Sequence, residues 1–162
     1  MEEYELRGRI LDFARKELAE SNGGQPSAAQ LDRYAMAAVG KPYAQSGTIQ
    51  GNWCGAFAVY CMRMAGLQSC HWGINAQTNK FGICGPVQVI WGDRGMMRTG
   101  DAAILYGDYS HHVLVEEAVE EYDYLSLVEG NGGAWGGMLN ARSTALSNAY
   151  CYYRVLCDQA WY

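Results

Sequence analysis

One cysteine and one histidine in this sequence stand where nucleophilic catalysis needs them. Cys54 is at the predicted beginning of an apolar helix, where free backbone N–H groups and the positive end of the helix dipole favour a thiolate. His112 opens a predicted strand just after a turn, and a general base held at a strand end can reach a cleft. The pair predicts attack by the sulfur on a carbonyl carbon, with the imidazole taking the proton and later returning it.

Two polar residues near another predicted strand end are candidates for the third member of such a site. Glu129 and Asn131 are two positions apart, so their side chains share a face of the strand. Either side chain can bond the far ring nitrogen of His112 and fix the orientation of the imidazole. Because side chains alternate along a strand, His111 is expected to point away from the face of His112, and only one of them can face Cys54.

Each of these residues also has an ordinary structural interpretation. Cysteine is among the most frequently buried residue types, so an apolar helix can hold Cys54 in the core without any chemistry. Cys61, two turns further along the same helix, lacks the helix-end effect and is predicted to be a core residue. A histidine at a strand start is commonly a surface or hydrogen-bonded residue, and the glycine-rich segment 130–133 can be a simple turn. The catalytic interpretation therefore depends on the combination of residues and on their order.

Three helices are predicted in the first part of the chain. Residues 4–20 carry apolar side chains at near-helical spacing, with charged residues between them. Ser27 is a suitable N-cap for a second helix over residues 28–39. Residues 52–66 are apolar nearly all round and predict the central buried helix, with Asn52 as its N-cap.

After residue 99 the pattern changes to short apolar runs separated by turn residues. Segment 68–98 has no clear pattern, and loops with a short helix over the cleft are expected there. Five strands are predicted at 102–106, 111–119, 124–129, 138–143 and 150–156, with turns at 107–110 and 120–123. Helices followed by a meander of strands indicate an α+β fold with N-terminal helices packed on an antiparallel β-sheet. The 162 residues are expected to form a single domain, 1–162.

Four stretches together resemble the CHAP domain, the cysteine- and histidine-dependent amidohydrolases and peptidases related to NlpC/P60 enzymes within the papain-like group. They are Trp53-Cys54-Gly55-Ala56-Phe57, Gly100-Asp101-Ala102-Ala103-Ile104, His112-Val113-Leu114-Val115-Glu116 and Val128-Glu129-Gly130-Asn131. Their order fits the family over about residues 40–156, whereas helix 4–20 is expected to be an extension. NlpC/P60 enzymes more often carry a second histidine as the third polar group, so Glu129 and Asn131 favour CHAP.

The resemblance implies a papain-like fold and a cysteine amidohydrolase or endopeptidase that acts through a thioester. The implied catalytic residues are Cys54 as nucleophile, His112 as base, and Glu129 and Asn131 as the groups that orient the imidazole. Trp53 and Gly55, beside the nucleophile, are expected to contact the substrate, and no metal or cofactor is implied. The implied substrate is an amide bond of bacterial peptidoglycan, as in phage endolysins or injected antibacterial toxins.

Two other functions remain open at this point. The first is a papain-like deamidase or protease that acts on a protein in the cytosol of a target cell, which suits the acidic charge and the six cysteines. The second is a catalytically silent binding module that uses the same groove. A zinc site built from Cys70, His71 and Cys84 is disfavoured, because two of these ligands are adjacent in the chain.

Composition narrows the partners and the location. The net charge is −5 and no run is rich in lysine or arginine, so neither nucleic acid nor an anionic membrane is an expected partner. No signal peptide or membrane span is recognisable, so synthesis in the cytoplasm and delivery to the wall or periplasm by lysis or specialised secretion are expected. A delivery system and an immunity protein are then candidate partners besides peptidoglycan. Disulfides between Cys70 and Cys84, or between Cys151 and Cys157, remain open.

Overall fold

Three helices occupy the first part of the chain and precede all of the strands. The computed structural model describes residues 1–107, 110–133 and 135–159. The helices are α1 (Glu3–Glu20), α2 (Ala28–Val39) and α3 (Cys54–Ala65). The three predicted helices are confirmed, and α2 has the predicted bounds.

Local hydrogen bonds explain where α2 and α3 begin. Ser27 accepts a bond from the backbone N–H of Gln30, and the Gln30 side chain accepts one from the backbone N–H of Ser27, which completes a capping box. Helix α3 begins at Cys54 with Trp53 as its N-cap, so the predicted cap at Asn52 was wrong by one residue. Cys54 is therefore the first residue of the helix, where the backbone N–H groups have no acceptor within the helix.

Eight strands form a hairpin and a six-stranded sheet. The hairpin pairs β1 (His71–Asn75) with β2 (Lys80–Cys84). The sheet contains β3 (Val87–Trp91), β4 (Ala102–Leu105), β5 (His111–Val119), β6 (Tyr124–Gly132), β7 (Met138–Ala145) and β8 (Ala149–Val155). Its spatial order is β3-β8-β4-β5-β6-β7, and each neighbouring pair is antiparallel. The predicted α+β class with an antiparallel sheet is confirmed.

Segment 68–98 differs from the expected loops and short helix over the cleft. It contains β1, β2 and β3, and its helical part is a single 3-10 turn at Arg94–Met96. The two hairpin strands are five residues long and each carries a glycine, Gly73 or Gly82, so they bury few side chains and show no alternation in the sequence. The predicted turn at 107–110 includes residues 108 and 109, which lie outside the described residues.

The central helix α3 packs on β5 and β6. Phe57 of α3, Leu114 of β5 and Val128 of β6 belong to the core between the helices and the sheet. Residues of the other parity, such as Val113 and Leu127, belong to a second core on the opposite face of the sheet. Because both faces of β5 are covered, the strand is held rigidly where its beginning meets the beginning of α3.

Helix α1 is joined to the rest of the fold by a buried ion pair. Nη1 of Arg7 lies 2.7 Å from Oδ1 of Asp101, whose side chain is fully buried. Asp101 also accepts bonds from the backbone N–H groups of Val155, at 3.1 Å, and Arg98, at 2.9 Å. Leu6, Ile10, Leu11 and Ala14 of α1 lie in the same core as α3. The helix over residues 4–20, expected to be an extension, is therefore part of the core.

Three further expectations concern disulfides, a metal site and a membrane-spanning helix. All six cysteines are free thiols. Within the described residues, no group of three or more His, Cys, Asp and Glu side chains is arranged to hold a metal ion. The described helices include none that is both long enough and apolar enough to cross a membrane.

Candidate active site

The Cys54 sulfur lies against the backbone at the beginning of β5. Its Sγ is 3.3 Å from the carbonyl oxygen of Ser110 and 3.5 Å from the backbone nitrogen of His112, whose N–H donates to the sulfur. The side-chain oxygen of Asn52 lies 3.6 Å from the same sulfur. Cys54 is 2% exposed, so the thiol is covered, but its neighbours are polar groups and not only apolar packing.

The imidazole of His111, one residue before His112, bonds the Glu129 carboxylate. Its Nε2 is 3.2 Å from Oε2 of Glu129. The His111 side chain is 20% exposed, whereas that of Glu129 is 2% exposed. A partly accessible imidazole is thus held by a buried acid, which is the relationship of a base to its orienting group.

Arg142 also holds the Glu129 carboxylate in place. Nε of Arg142 lies 3.0 Å from Oε1 and 3.1 Å from Oε2 of Glu129, and Nδ2 of Asn140 lies 3.5 Å from Oε1. Burial raises the pKa of Glu129, but the hydrogen bonds from His111 and Arg142 outweigh burial and bring its pKa to about 2. Glu129 is therefore ionised at neutral pH and attracts a proton to His111.

The thiol and the imidazole shift each other toward their charged forms. Burial raises the pKa of Cys54, but the hydrogen bond from His111 and the ring and backbone N–H of His112 outweigh burial and lower its pKa to about 6. The hydrogen bonds to Cys54 and Glu129 raise the pKa of His111 to about 9, against the opposing effect of burial. Thiolate and imidazolium therefore coexist across neutral pH, which is the ionic state that nucleophilic attack by cysteine requires.

The ring of His112 also helps to lower the pKa of the Cys54 thiol, as expected of the base, but it is enclosed by other side chains. It is 1% exposed and meets the Trp72 ring edge to face, with 4.9 Å between ring centroids. Its Nε2 lies 3.0 Å from the hydroxyl oxygen of Tyr153, and its Nδ1 has no well-aligned hydrogen bond to any described residue. The expectation that Glu129 orients His112 is corrected, because the carboxylate bonds His111.

The alignment of β5 with β6 explains why Glu129 bonds His111 and not His112. Leu114 of β5 pairs with Val128 of β6, so odd-numbered residues near the start of β5 share a face with odd-numbered residues near the end of β6. His111 and Glu129 therefore lie on one face, and His112 lies on the face that packs under the helices. The alternation that separates the two histidines was recognised in the sequence. The missing information was the register between the strands.

Both polar atoms of the Asn131 side chain bond backbone groups of loops. Its Nδ2 donates to the carbonyl oxygen of Gly51 at 3.1 Å, and its Oδ1 accepts a bond from the backbone N–H of Gly137 at 2.9 Å. Its backbone has φ of 53°, a left-handed conformation that asparagine tolerates better than most residues. The structure thus gives the predicted orienting group a different role, which is to connect the loop before Cys54 with the loop after β6.

Trp53 and Gly55 have packing contacts where contacts with substrate were expected. The Trp53 ring is 3% exposed and stacks on Tyr34 with 5.8 Å between ring centroids, so a substrate cannot reach it in this structure. A Cβ atom on Gly55 would lie 2.0 Å from Cζ3 of Trp72. The absence of a side chain at Gly55 is what allows the hairpin to place Trp72 beside the site.

A cavity of about 430 Å³ opens beside His111 and Glu129. Its lining also includes Tyr106, Asn131, Gly132, Gly133, Asn140 and Arg142. The sequence analysis did not identify Tyr106, which follows β4, or Asn140 and Arg142 of β7, because no local motif marks them. A cavity of about 870 Å³ lies against α1 and shares no lining residue with this one.

Comparison of the chain with models of protein families, with curated proteins and with solved structures found no match in any of the three.

Proposed function

We propose that this protein is a cysteine-dependent amide hydrolase in which Cys54 is the nucleophile, His111 the general acid and base, and Glu129 the orienting group. The observation that carries the proposal is the start of β5, where the Cys54 sulfur lies 3.5 Å from the backbone nitrogen of His112 and the adjacent His111 lies 3.2 Å from the Glu129 carboxylate. The role first given to His112 passes to His111, because the His112 ring is enclosed by Trp72 and Tyr153.

In the proposed reaction, the Cys54 thiolate attacks the amide carbonyl carbon and forms a tetrahedral intermediate. The imidazolium of His111 gives its proton to the leaving nitrogen, the C–N bond breaks, and a thioester remains on the sulfur. His111, now neutral, takes a proton from water, which attacks the thioester and releases the acid. The proton taken from water makes His111 an imidazolium again, and the sulfur leaves the acyl group as a thiolate, so the starting state is restored. Glu129 stays ionised throughout and compensates the charge of the ring.

The beginning of α3 provides stabilisation for the oxyanion. Cys54 is the first residue of the helix, and backbone N–H groups of a first helical turn have no acceptor within the helix. They are fixed in place before reaction and lie beside the attacking sulfur. Donors of this kind stabilise the negative charge that develops on the carbonyl oxygen.

A papain-like fold of the CHAP type and a peptidoglycan substrate form the finer part of the proposal. A nucleophilic cysteine at a helix start, a histidine at the start of a packed strand and a carboxylate on the next strand support that assignment. The four sequence stretches that resemble CHAP include Cys54 and Glu129, and His111 directly precedes the third of them. The bond in the wall that this chemistry suits is an amide, either in a peptide or between sugar and peptide.

One observation favours the alternative of a silent binding module. Cys54 is 2% exposed, so a substrate carbonyl reaches the sulfur only after neighbouring side chains move. The lowered pKa of Cys54 and the charged His111–Glu129 pair have no use in such a module, and they favour the enzyme. Reactivity of the thiol toward small electrophiles separates the two functions.

Digestion of purified cell wall tests the proposed activity. The wild-type protein should release fragments whose new amine and acid termini are identified by mass spectrometry, and Cys54→Ala should release none. Cys84→Ala is the matched control, because Cys84 is a half-buried free thiol outside the site and its loss should leave release unchanged. Equal release by wild type and Cys54→Ala would exclude the mechanism. Release by neither protein, with a reactive Cys54, would exclude the wall as substrate.

A further inference from the structure

The cavity beside His111 contains a guanidinium that the proposed mechanism uses only in part. Arg142 bonds Glu129 through Nε alone, at 3.0 and 3.1 Å. Its Nη1 and Nη2 groups have no hydrogen-bond partner in the described ranges, and the side chain is 32% exposed in a cavity of about 430 Å³. An arginine fixed at Nε presents its two Nη groups as a preoriented fork, and such a fork matches the two oxygens of a carboxylate.

The charge of the cavity also favours an anion. Its titratable lining consists of Arg142, His111, Glu129 and Tyr106. Arg142 carries a positive charge, His111 is a cation below about pH 9, and Glu129 is the one carboxylate among the described lining residues. That carboxylate already accepts hydrogen bonds from Nε of Arg142 and Nε2 of His111. The protein as a whole carries a net charge of −5, so this concentration of cationic groups is local.

The remaining walls of the cavity suit a short polar group with an aliphatic stem. Asn140 places an amide beside Glu129 and Arg142, and Gly132 and Gly133 leave the floor without side chains. Tyr106 is 53% exposed and has φ of 67°, a conformation that a bulky residue rarely adopts. Its backbone N–H is held by the carbonyl oxygen of Asn148 at 3.0 Å. A strained, exposed aromatic side chain at a cavity is typical of a functional site.

We infer that this cavity is a subsite for a carboxylate of the substrate. Arg142 binds the carboxylate, and His111, which lines the cavity and also serves as the base, places the carboxylate next to the scissile amide. The inference rests on the proposed function and deepens it, because it names the substrate class: amides with a free carboxylate close to the bond that is cleaved. Tyr106 covers the aliphatic carbons between the carboxylate and the amide. Neutral amides of the same shape are poor substrates, because they leave the Nη groups of Arg142 without a charged partner.

Two small electrophiles of similar size test the subsite through Cys54. Iodoacetate carries a carboxylate next to the reacting carbon, and iodoacetamide is its neutral counterpart. The measured quantity is the ratio of their alkylation rates at Cys54, divided by the same ratio for free cysteine. Wild type should favour iodoacetate by about tenfold to a hundredfold, as expected for a charge-assisted hydrogen bond, and the rate should saturate with concentration. Arg142→Gln should bring the ratio close to one, and Arg142→Lys should retain part of it.

Glu129→Gln separates the role of Arg142 from that of the imidazolium. This variant weakens the hold on His111 but keeps Arg142 and removes the competing carboxylate, so the preference for iodoacetate should persist or increase. A preference that falls equally in Glu129→Gln and Arg142→Gln would assign it to His111 and overturn the subsite. A wild-type ratio near one would also overturn it.

A binding measurement does not require a reactive thiol. In Cys54→Ala, acetate should shift the NMR signal of the Arg142 Nε–H group and acetamide should not. Equal effects of the two would overturn the subsite. The proposed function fails separately, if Cys54 reacts with iodoacetamide at the rate and with the pH dependence of an ordinary thiol.

Discussion

The Trp72 ring meets the imidazole of His112 edge to face, with 4.9 Å between ring centroids and an interplanar angle of 75°. Trp72 comes from the hairpin, and His112 lies on the face of β5 that packs under the helices. This contact encloses the His112 ring, whereas His111, one residue earlier, keeps a partly exposed imidazole that bonds Glu129. Two adjacent histidines thereby have different environments, and we expect them to respond differently to substitution.

Substitution of the two histidines should separate a catalytic role from a packing role. His111→Gln should lower kcat by about 10²- to 10⁴-fold, the usual contribution of general acid–base catalysis, with little change in the free energy of unfolding. His112→Gln should destabilise the fold, because it removes a buried ring packed on Trp72 and Tyr153, and should lower kcat by about tenfold or less. Amide hydrolysis and urea unfolding are measured on both variants. The opposite pattern would restore His112 as the base.

The pH dependence of alkylation should reveal the ionised thiol. The pKa of Cys54 is lowered to about 6, so its rate of reaction with iodoacetamide should be half-maximal near pH 6 and constant above about pH 7. Burial raises the pKa of Cys61 well above the ordinary value, so that thiol should stay unmodified in the native protein. Mass spectrometry of the labelled peptides measures both sites in one sample. A midpoint near pH 9 for Cys54 would contradict the ion pair.

Removal of the Glu129 charge should change the alkaline limit of activity. The rate of hydrolysis should rise as the Cys54 thiol ionises near pH 6 and fall as His111 loses its proton near pH 9. Glu129 helps to raise the pKa of His111, so Glu129→Gln should shift the alkaline limb to lower pH. Glu121→Gln changes an exposed carboxylate outside the site and is the control for net charge. An unchanged limb in Glu129→Gln would mean that Glu129 does not act through His111.

The elements with local signals were predictable, and the partners within the site were not. Ser27 and Gln30 are a capping pair three residues apart, which locates the start of α2 from the sequence alone. The β5 strand was predicted at its observed bounds, because apolar residues and flanking turns mark it. The pairing of His111 with Glu129 depends on how β5 and β6 align, and a shift by one residue would exchange the faces.

The hairpin was missed for a different reason. Its strands carry one glycine each and expose much of their surface, so neither alternation nor a long apolar run marks them. Its contribution to the site is the contact of Trp72 with Gly55, which joins segments that are not adjacent in the chain. Such contacts between distant segments leave no pattern in a single sequence.

Gly55→Ala should disturb the site through Trp72. A Cβ atom at position 55 would lie 2.0 Å from Cζ3 of that ring, so the ring or the helix must move, at a cost of about 1–3 kcal/mol in the free energy of unfolding. The double variant Gly55→Ala, Trp72→Ala should remove the clash, and its total effect should be smaller than the sum of the two single effects. Gly8→Ala is the control, because Gly8 lies in α1 with nothing near its Cβ position, and alanine there should stabilise by about 0.5–1 kcal/mol. Urea unfolding measures all four variants, and additive effects at positions 55 and 72 would exclude the contact.

Asp101→Asn should show that α1 is held by a buried charge pair and not by surface contacts. Asparagine keeps the shape but leaves the Arg7 guanidinium, 2.7 Å away, without its buried counter-charge, so we expect a loss of about 3–5 kcal/mol in the free energy of unfolding. Glu3→Gln breaks the ion pairs that Arg7 and Arg98 make with a half-exposed carboxylate, and it should cost about 1 kcal/mol or less. Urea unfolding at low and high salt distinguishes them, because added salt should weaken the pairs of Glu3 and leave the effect of Asp101→Asn nearly unchanged. Similar losses in the two variants would mean that the Arg7–Asp101 pair does not anchor the helix.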